Sequence, residues 1–220
     1  MKIKFLGLII AGILLASGTA QAAAVLTVVP SNGIVTTIGG ASDTPFDLGL
    51  STGLNSGSSI TIFNSSTVQQ FGLQLSEAAN LTFEYLGSEA GFTNSFEQAG
   101  TTFSNDGSNS IGDKFSANVA AGFLNFVLRS DDGTNPLKEA FNHGDIDAGL
   151  AYAIAVLSPT SIIVLFDDGG KGTDFDDIAV KISVSQVPLP AAAWLLISAI
   201  LGLVSFRLHL LFLCELFPYL

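Results

Sequence analysis

The chain has 220 residues, carries a net charge of −11 and contains one cysteine. Its acidic balance argues against nucleic acid and anionic lipid as partners. A single cysteine, Cys214, excludes an intramolecular disulfide and a cysteine nucleophile upstream, so a folded domain must rest on its core, aided by metal if by anything.

The N-terminus reads as a secretory signal. Lys2 and Lys4 form a basic start, Phe5 to Ala16 is apolar, and Ala20-Gln21-Ala22 supplies the small-x-small pattern for cleavage before Ala23. The apolar run of 12 residues is short of the roughly 20 that span a bilayer. Residues 1–22 are therefore expected to be a signal peptide. Residues 23–186 are then long enough for one domain with its own core, and they hold 18 of the 19 acidic residues but 5 of the 8 basic ones.

Within that domain the pattern predicts an all-β fold. Gly, Ser and Asp dominate Ser42–Ser59, which reads as a long surface loop. In Val68–Leu75, Phe71, Leu73 and Leu75 fall on one face. In Leu81–Leu86, Leu81, Phe83 and Tyr85 oppose Thr82 and Glu84. Period two marks strands with one buried side. Phe123–Leu128 and Ser161–Phe166 are apolar on both faces and read as central strands. Arg129-Ser130-Asp131-Asp132-Gly133 reads as an Asp-Gly turn. Pro136–Phe141 is a short helix candidate behind an N-cap at Asn135. Ile178, Val180, Ile182 and Val184 alternate against Lys181 and Ser183. Many short strands at this spacing predict a β-sandwich of jelly-roll type.

The stretch richest in chemistry is FDDGGKGTDFDDIAV, Phe166 to Val180, between two strong strands. It places Asp167, Asp168, Asp174, Asp176 and Asp177 within 11 residues. Glycines at 169, 170 and 172 let the two acidic ends converge. Hard cations such as Ca²⁺ take about six to eight oxygen ligands, and carboxylates with turn carbonyls supply them. Such carboxylates repel one another unless a cation neutralises them. The alternating ligands and closing glutamate of an EF-hand are missing. The competing reading is a solvated acidic hairpin, with Asp and Gly present for turn geometry.

Catalytic signals are sparse. His143 is the domain's one histidine, and no Gly-x-Ser-x-Gly elbow accompanies it, so it reads as a loop residue. Carboxylate-pair hydrolysis depends on spatial separations that a sequence does not display.

The C-terminal segment opens on Val187-Pro188-Leu189-Pro190. Ala191 to Phe206 is free of charge, and the stretch through Leu213 has 23 residues. That length predicts a transmembrane helix over about 191–213, with Trp194 at one interface and Arg207 near the other. The two prolines keep the chain extended ahead of it.

Pro188 and Pro190, then Trp194-Leu195-Leu196, Ser198 and Leu201-Gly202-Leu203, resemble the Leu variant of the PEP-CTERM sorting signal: a Pro-x-Pro motif, an apolar helix and a basic cluster. The resemblance implies an exported bacterial protein of an exopolysaccharide-producing Gram-negative species. It also implies an exosortase-type enzyme that cleaves near the motif. Only Arg207 stands where the family has several basic residues, and an apolar ending follows it. Leu81–Phe96, Ile111–Phe126 and the acidic loop resemble a β-rich domain of unknown function found in such exported proteins. That resemblance implies calcium at Asp167, Asp168, Asp174, Asp176 and Asp177.

The expected protein is exported, held at the inner membrane and then released to the cell surface or matrix. Its expected role is non-enzymatic and associated with exopolysaccharide and biofilm. The alternatives are a carbohydrate-binding module, which would lack a tryptophan platform because Trp194 lies in the tail, and a carboxylate-pair hydrolase.

Overall fold

The computed structural model describes residues 23–29, 34–37, 52–54, 57–65, 71–169, 175–185, 199–200 and 202–203. Ala23–Ser185 forms one compact unit, and residues 1–22 and 186–220 fall outside it.

The described part of the unit is all-β, as its alternation and turn residues predict. The first strands are β1 (Leu26–Val29), β2 (Ile34–Thr37), β3 (Ser59–Asn64), β4 (Gly72–Leu75) and β5 (Ala79–Gly87). Next come β6 (Thr93–Gln98), β7 (Thr101–Ser104), β8 (Lys114–Val119), β9 (Gly122–Phe123) and β10 (Val127–Asp131). The last are β11 (Lys138–Phe141), β12 (Ala151–Ser158), β13 (Ser161–Asp167) and β14 (Ile178–Val184). They make a seven-stranded sheet in the order β2-β3-β12-β13-β14-β5-β8, a four-stranded sheet β11-β10-β6-β7 and a three-stranded sheet β1-β4-β9. Every pairing is antiparallel.

The main core joins all three sheets. Ile162, Val164 and Phe166 of β13 and Ile178, Val180 and Ile182 of β14 pack with Phe96 and Leu128 of the four-stranded sheet and Leu73 and Leu75 of the three-stranded one. Burying each such side chain contributes on the order of 1.5–3 kcal/mol. Eight aromatic rings run through this core in unbroken contact: Phe63, Tyr152, Phe126, Phe96, Phe83, Phe115, Phe103 and Tyr85, with centroids 4.7–5.9 Å apart. Offset and tilted ring pairs of this kind stabilise beyond their buried area.

The opposite face of the seven-stranded sheet is covered too. Ala153, Ala155, Ile163, Leu165 and Ala179 form a second cluster with Phe175, and Leu54 packs against it. Two-sided burial explains why Ser161–Phe166 shows no alternation; β13 is the middle strand of its sheet. The alanines of β12 leave the room that the covering residues occupy. Thr52 and Leu54, inside the expected Ser42–Ser59 surface loop, are buried and half-buried respectively, and Leu54 packs on the second cluster. Residues 42–51 and 55–56 of that loop lie outside the described residues.

Two expectations change. Pro136–Phe141 forms no helix: Lys138–Phe141 is the edge strand β11, with Ala140 opposite Leu128. A helix this short has a costly nucleus, whereas the edge of β10 supplies ready partners. Asn135 joins the preceding turn, donating its side-chain amide to Asp132. Phe123–Leu128 is not one central strand. Phe123 ends β9, Val127 begins β10, and the fully buried Leu124 and Phe126 lie where the chain passes from one sheet to another. A crossover through the core buries side chains on both sides just as a central strand does.

Candidate functional site

The acidic hairpin connects β13 to β14, whose register brings Phe166 opposite Ile178. Its two ends are tied together. The Asp177 N–H donates to the Phe166 carbonyl at 3.2 Å, and the Asp168 N–H donates to Asp177 Oδ2 at 2.5 Å. On the first arm, the Gly169 N–H donates to Asp167 Oδ1 at 2.9 Å. Gly169 has φ 89°, and a Cβ there would lie 2.0 Å from the Gly149 carbonyl oxygen, so both the turn and the close approach require glycine. On the second arm Phe175, at φ 55°, buries its ring in the second cluster. That anchor holds Asp176 and Asp177 in place.

Four of the five expected ligands are described, and the fold brings them to one end of the seven-stranded sheet. Asp167, Asp168 and Asp177 are buried, and Asp176 is half-buried. Asp174 lies outside the described residues, with Lys171. Buried carboxylates are costly unless hydrogen bonds or cations compensate them. Part of the compensation comes from the four-stranded sheet, where Asn94 of β6 donates Nδ2 to Asp168 Oδ2 at 2.9 Å. The turn after β5 closes the other side, the Glu89 N–H donating to the Asp176 carbonyl at 2.9 Å.

Asn94 is fully buried, and its Oδ1 has no hydrogen-bond partner among the described residues. Among those residues no three His, Cys, Asp or Glu side chains are grouped to hold a metal ion. The hairpin offers carboxylate oxygens, and the neighbouring amide offers one orphaned neutral oxygen. That donor set is all oxygen, which suits a hard cation such as Ca²⁺. Sequence reasoning missed Asn94. The signal for it was the alternation in Thr93–Gln98, which places Asn94 on the inward face with Phe96.

Of the second acidic cluster, Arg129, Ser130 and Asp131 end β10, and the turn begins at Asp132. Asp132 Oδ1 accepts from the N–H groups of Thr134 and Asn135 at 2.8 and 2.7 Å, Oδ2 accepts from the Asn135 amide at 2.6 Å, and Gly133 takes φ 72°. The Asn135 side-chain bond, then the Asn135 and Thr134 backbone bonds, hold the Asp132 carboxyl well below the usual carboxylate range. Beside it, Arg129 pairs with Glu97 on one side and with Glu139 at 2.8 Å on the other. Burial lowers the proton affinity of this guanidinium, but the bonds from Glu139 and Glu97 outweigh it and raise the pKa.

His143 lies in a loop, as expected, at φ 59° with its ring stacked on Phe123 at 3.7 Å. The adjacent Asn142 is the residue whose importance the sequence hid. Its buried amide bonds Leu73 N–H, Leu73 carbonyl and Leu124 carbonyl at 2.7, 3.0 and 2.6 Å.

Of the terminal features, Ala23 opens the compact unit, whereas Ala20, Ala22, Val187, Pro188, Leu189, Pro190, Trp194 and Arg207 lie outside the described residues. Residues 199–200 and 202–203 are helical. Among the described residues no helix is long and apolar enough to cross a membrane. Compared with family models, curated proteins and solved structures, the chain matches none.

Proposed function

We propose that this is an exported, non-enzymatic protein of the cell surface or extracellular matrix, with an acidic β-domain braced by Ca²⁺ at the β13–β14 hairpin. The observation that carries the reading is the order of features along one chain: a basic start with a short apolar run and a small-x-small pattern, an acidic all-β unit, then a Pro-x-Pro motif and an apolar segment. An exosortase-type enzyme processes the tail near Val187–Pro190, after an intermediate held in the inner membrane through residues 191–213. The jelly-roll form of the sandwich belongs to the same proposal, as does an exopolysaccharide-rich biofilm setting.

A structural role is supported by how the carboxylates are used. Glu97 and Glu139 are both bound by Arg129. Asp132 is committed to its own turn.

The test is to isolate the protein from its host and read its C-terminus by intact-mass and peptide mass spectrometry in each cell fraction. An end near Val187–Pro190 in the outer-membrane or extracellular fraction is expected. A full-length chain through Leu220 confined to the inner membrane overturns the sorting reading. Equal melting temperatures in calcium and in EDTA overturn the calcium brace.

A further inference from the structure

We infer that Asn94 is a cation ligand contributed by the opposite sheet, so that the bound cation clamps the four-stranded sheet to the seven-stranded one. The inference rests on the calcium reading of the hairpin and extends it from a loop brace to an inter-sheet clamp.

Asn94 sits on β6 in the four-stranded sheet, whereas Asp168 follows β13 and Asp177 precedes β14 in the seven-stranded sheet. Three observations meet at this residue. Its Nδ2 holds Asp168 Oδ2 at 2.9 Å, which orients the amide toward the hairpin. Its Oδ1, on the same planar amide, is buried with no partner among the described residues. Its backbone is fixed by reciprocal bonds with Asn105, whose side-chain Oδ1 accepts the Asn94 N–H at 2.8 Å and whose own N–H donates to the Asn94 carbonyl at 3.1 Å.

A buried amide held so firmly, with one end on a carboxylate and the other without a partner among the described residues, is explained by a cation that its oxygen shares with that carboxylate. A carbonyl oxygen from an amide is an ordinary ligand of Ca²⁺, and hydrogen bonds to a ligating carboxylate are the usual outer-shell support. Gln98 Oε1, on the same face of β6, also has no partner among the described residues, but no described bond joins it to the hairpin.

The experiment uses the full-length chain in mild detergent, stripped with EDTA and desalted, with CaCl₂ as the probe. Calorimetric titration measures affinity, and melting is followed in calcium and in EDTA for wild type, Asn94→Ala and Asn94→Asp. Wild type should bind calcium and melt at a higher temperature with it. Asn94→Ala should bind about tenfold or more weakly, a loss of about 1.4 kcal/mol per decade.

Asn94→Asp puts a third carboxylate beside Asp168 and Asp177. It should melt below wild type in EDTA and recover in calcium, with a calcium-dependent rise larger than that of wild type. If wild type binds calcium but Asn94→Ala keeps its affinity, and Asn94→Asp shows only the wild-type rise, the clamp is overturned while the calcium brace stands. If wild type neither binds nor shifts, the brace itself fails and the clamp with it. Should neither variant fold, the wild-type Asn94 side-chain amide resonances decide: a calcium-induced shift supports the ligand, and none overturns it.

Discussion

Asn142 treats Leu73, 69 residues away, as a strand would: its Oδ1 accepts from the Leu73 N–H at 2.7 Å while its Nδ2 donates to the Leu73 carbonyl at 3.0 Å. The same Nδ2 reaches the Leu124 carbonyl at 2.6 Å. One buried side chain thus closes the space between β4 and the crossover after β9, and Gly72 leaves room for it. A Cβ at Gly72 would lie 2.4 Å from Asn142 Oδ1. Asn142→Ala should therefore destabilise by about 3 kcal/mol or more, since it strips buried backbone groups of a partner. Chemical denaturation followed by circular dichroism measures this; a loss under about 1 kcal/mol would show that water replaces the amide.

Gly169 and Gly133 both take positive φ, at 89° and 72°, but only Gly169 is crowded. Gly133→Ala should cost about 1 kcal/mol from backbone strain alone. Gly169→Ala adds a collision with the Gly149 carbonyl and should cost about 3 kcal/mol or more. Melting the two variants side by side separates strain from overlap. Equal losses would mean that the approach of the hairpin to residue 149 yields easily.

Asp132 sets an acid-side prediction. Its carboxyl is held below the ordinary value of 3.8 by the Asn135 side chain first and by backbone N–H groups next. A depressed folded value means stability present above pH 3.8 and lost as pH falls below it. Asp132→Asn keeps an acceptor for the turn but cannot titrate. Wild type should exceed this variant in melting temperature at pH 7, and the gap should close as pH drops below about 3. A gap independent of pH would trace the difference to turn geometry instead.

Tyr152 sets the alkaline counterpart. Burial raises its phenol above the ordinary value of 10.0, so the stability it contributes is full below pH 10 and fades as pH rises. Tyr152→Phe keeps the ring contacts with Phe63 and Phe126 and removes a long hydrogen bond to Asn142 of 3.5 Å. It should melt within a few degrees of wild type at neutral pH and lose less stability above about pH 10. Parallel pH curves for the two proteins would overturn this.

Much was legible wherever a single strand had one wet side. Leu81, Phe83 and Tyr85, and Ile178, Val180 and Ile182, declare their buried faces because Thr82, Glu84 and Lys181 declare the other. The acidic hairpin was legible as well, since turn glycines and clustered aspartates are local features of one stretch. The alternation failed at Phe123–Leu128, where the chain changes sheets through the core. Propensity failed at Pro136–Phe141, where pairing with β10 outcompeted a short helix.

By itself, then, the sequence determined the β class of the domain, its acidity, its dependence on a core without disulfides, and the hairpin where its carboxylates gather. All of these follow from residue type and from spacing within a few positions. Only the tertiary structure decided which strands neighbour which, that β12 and β13 are covered on both faces, and that Asn94 and Asn142 act on partners 74 and 69 residues away. The reason is physical. A buried amide is chosen by the unpaired groups opposite it, and those are set by sheet packing, which brings distant segments together without leaving a periodic mark on either.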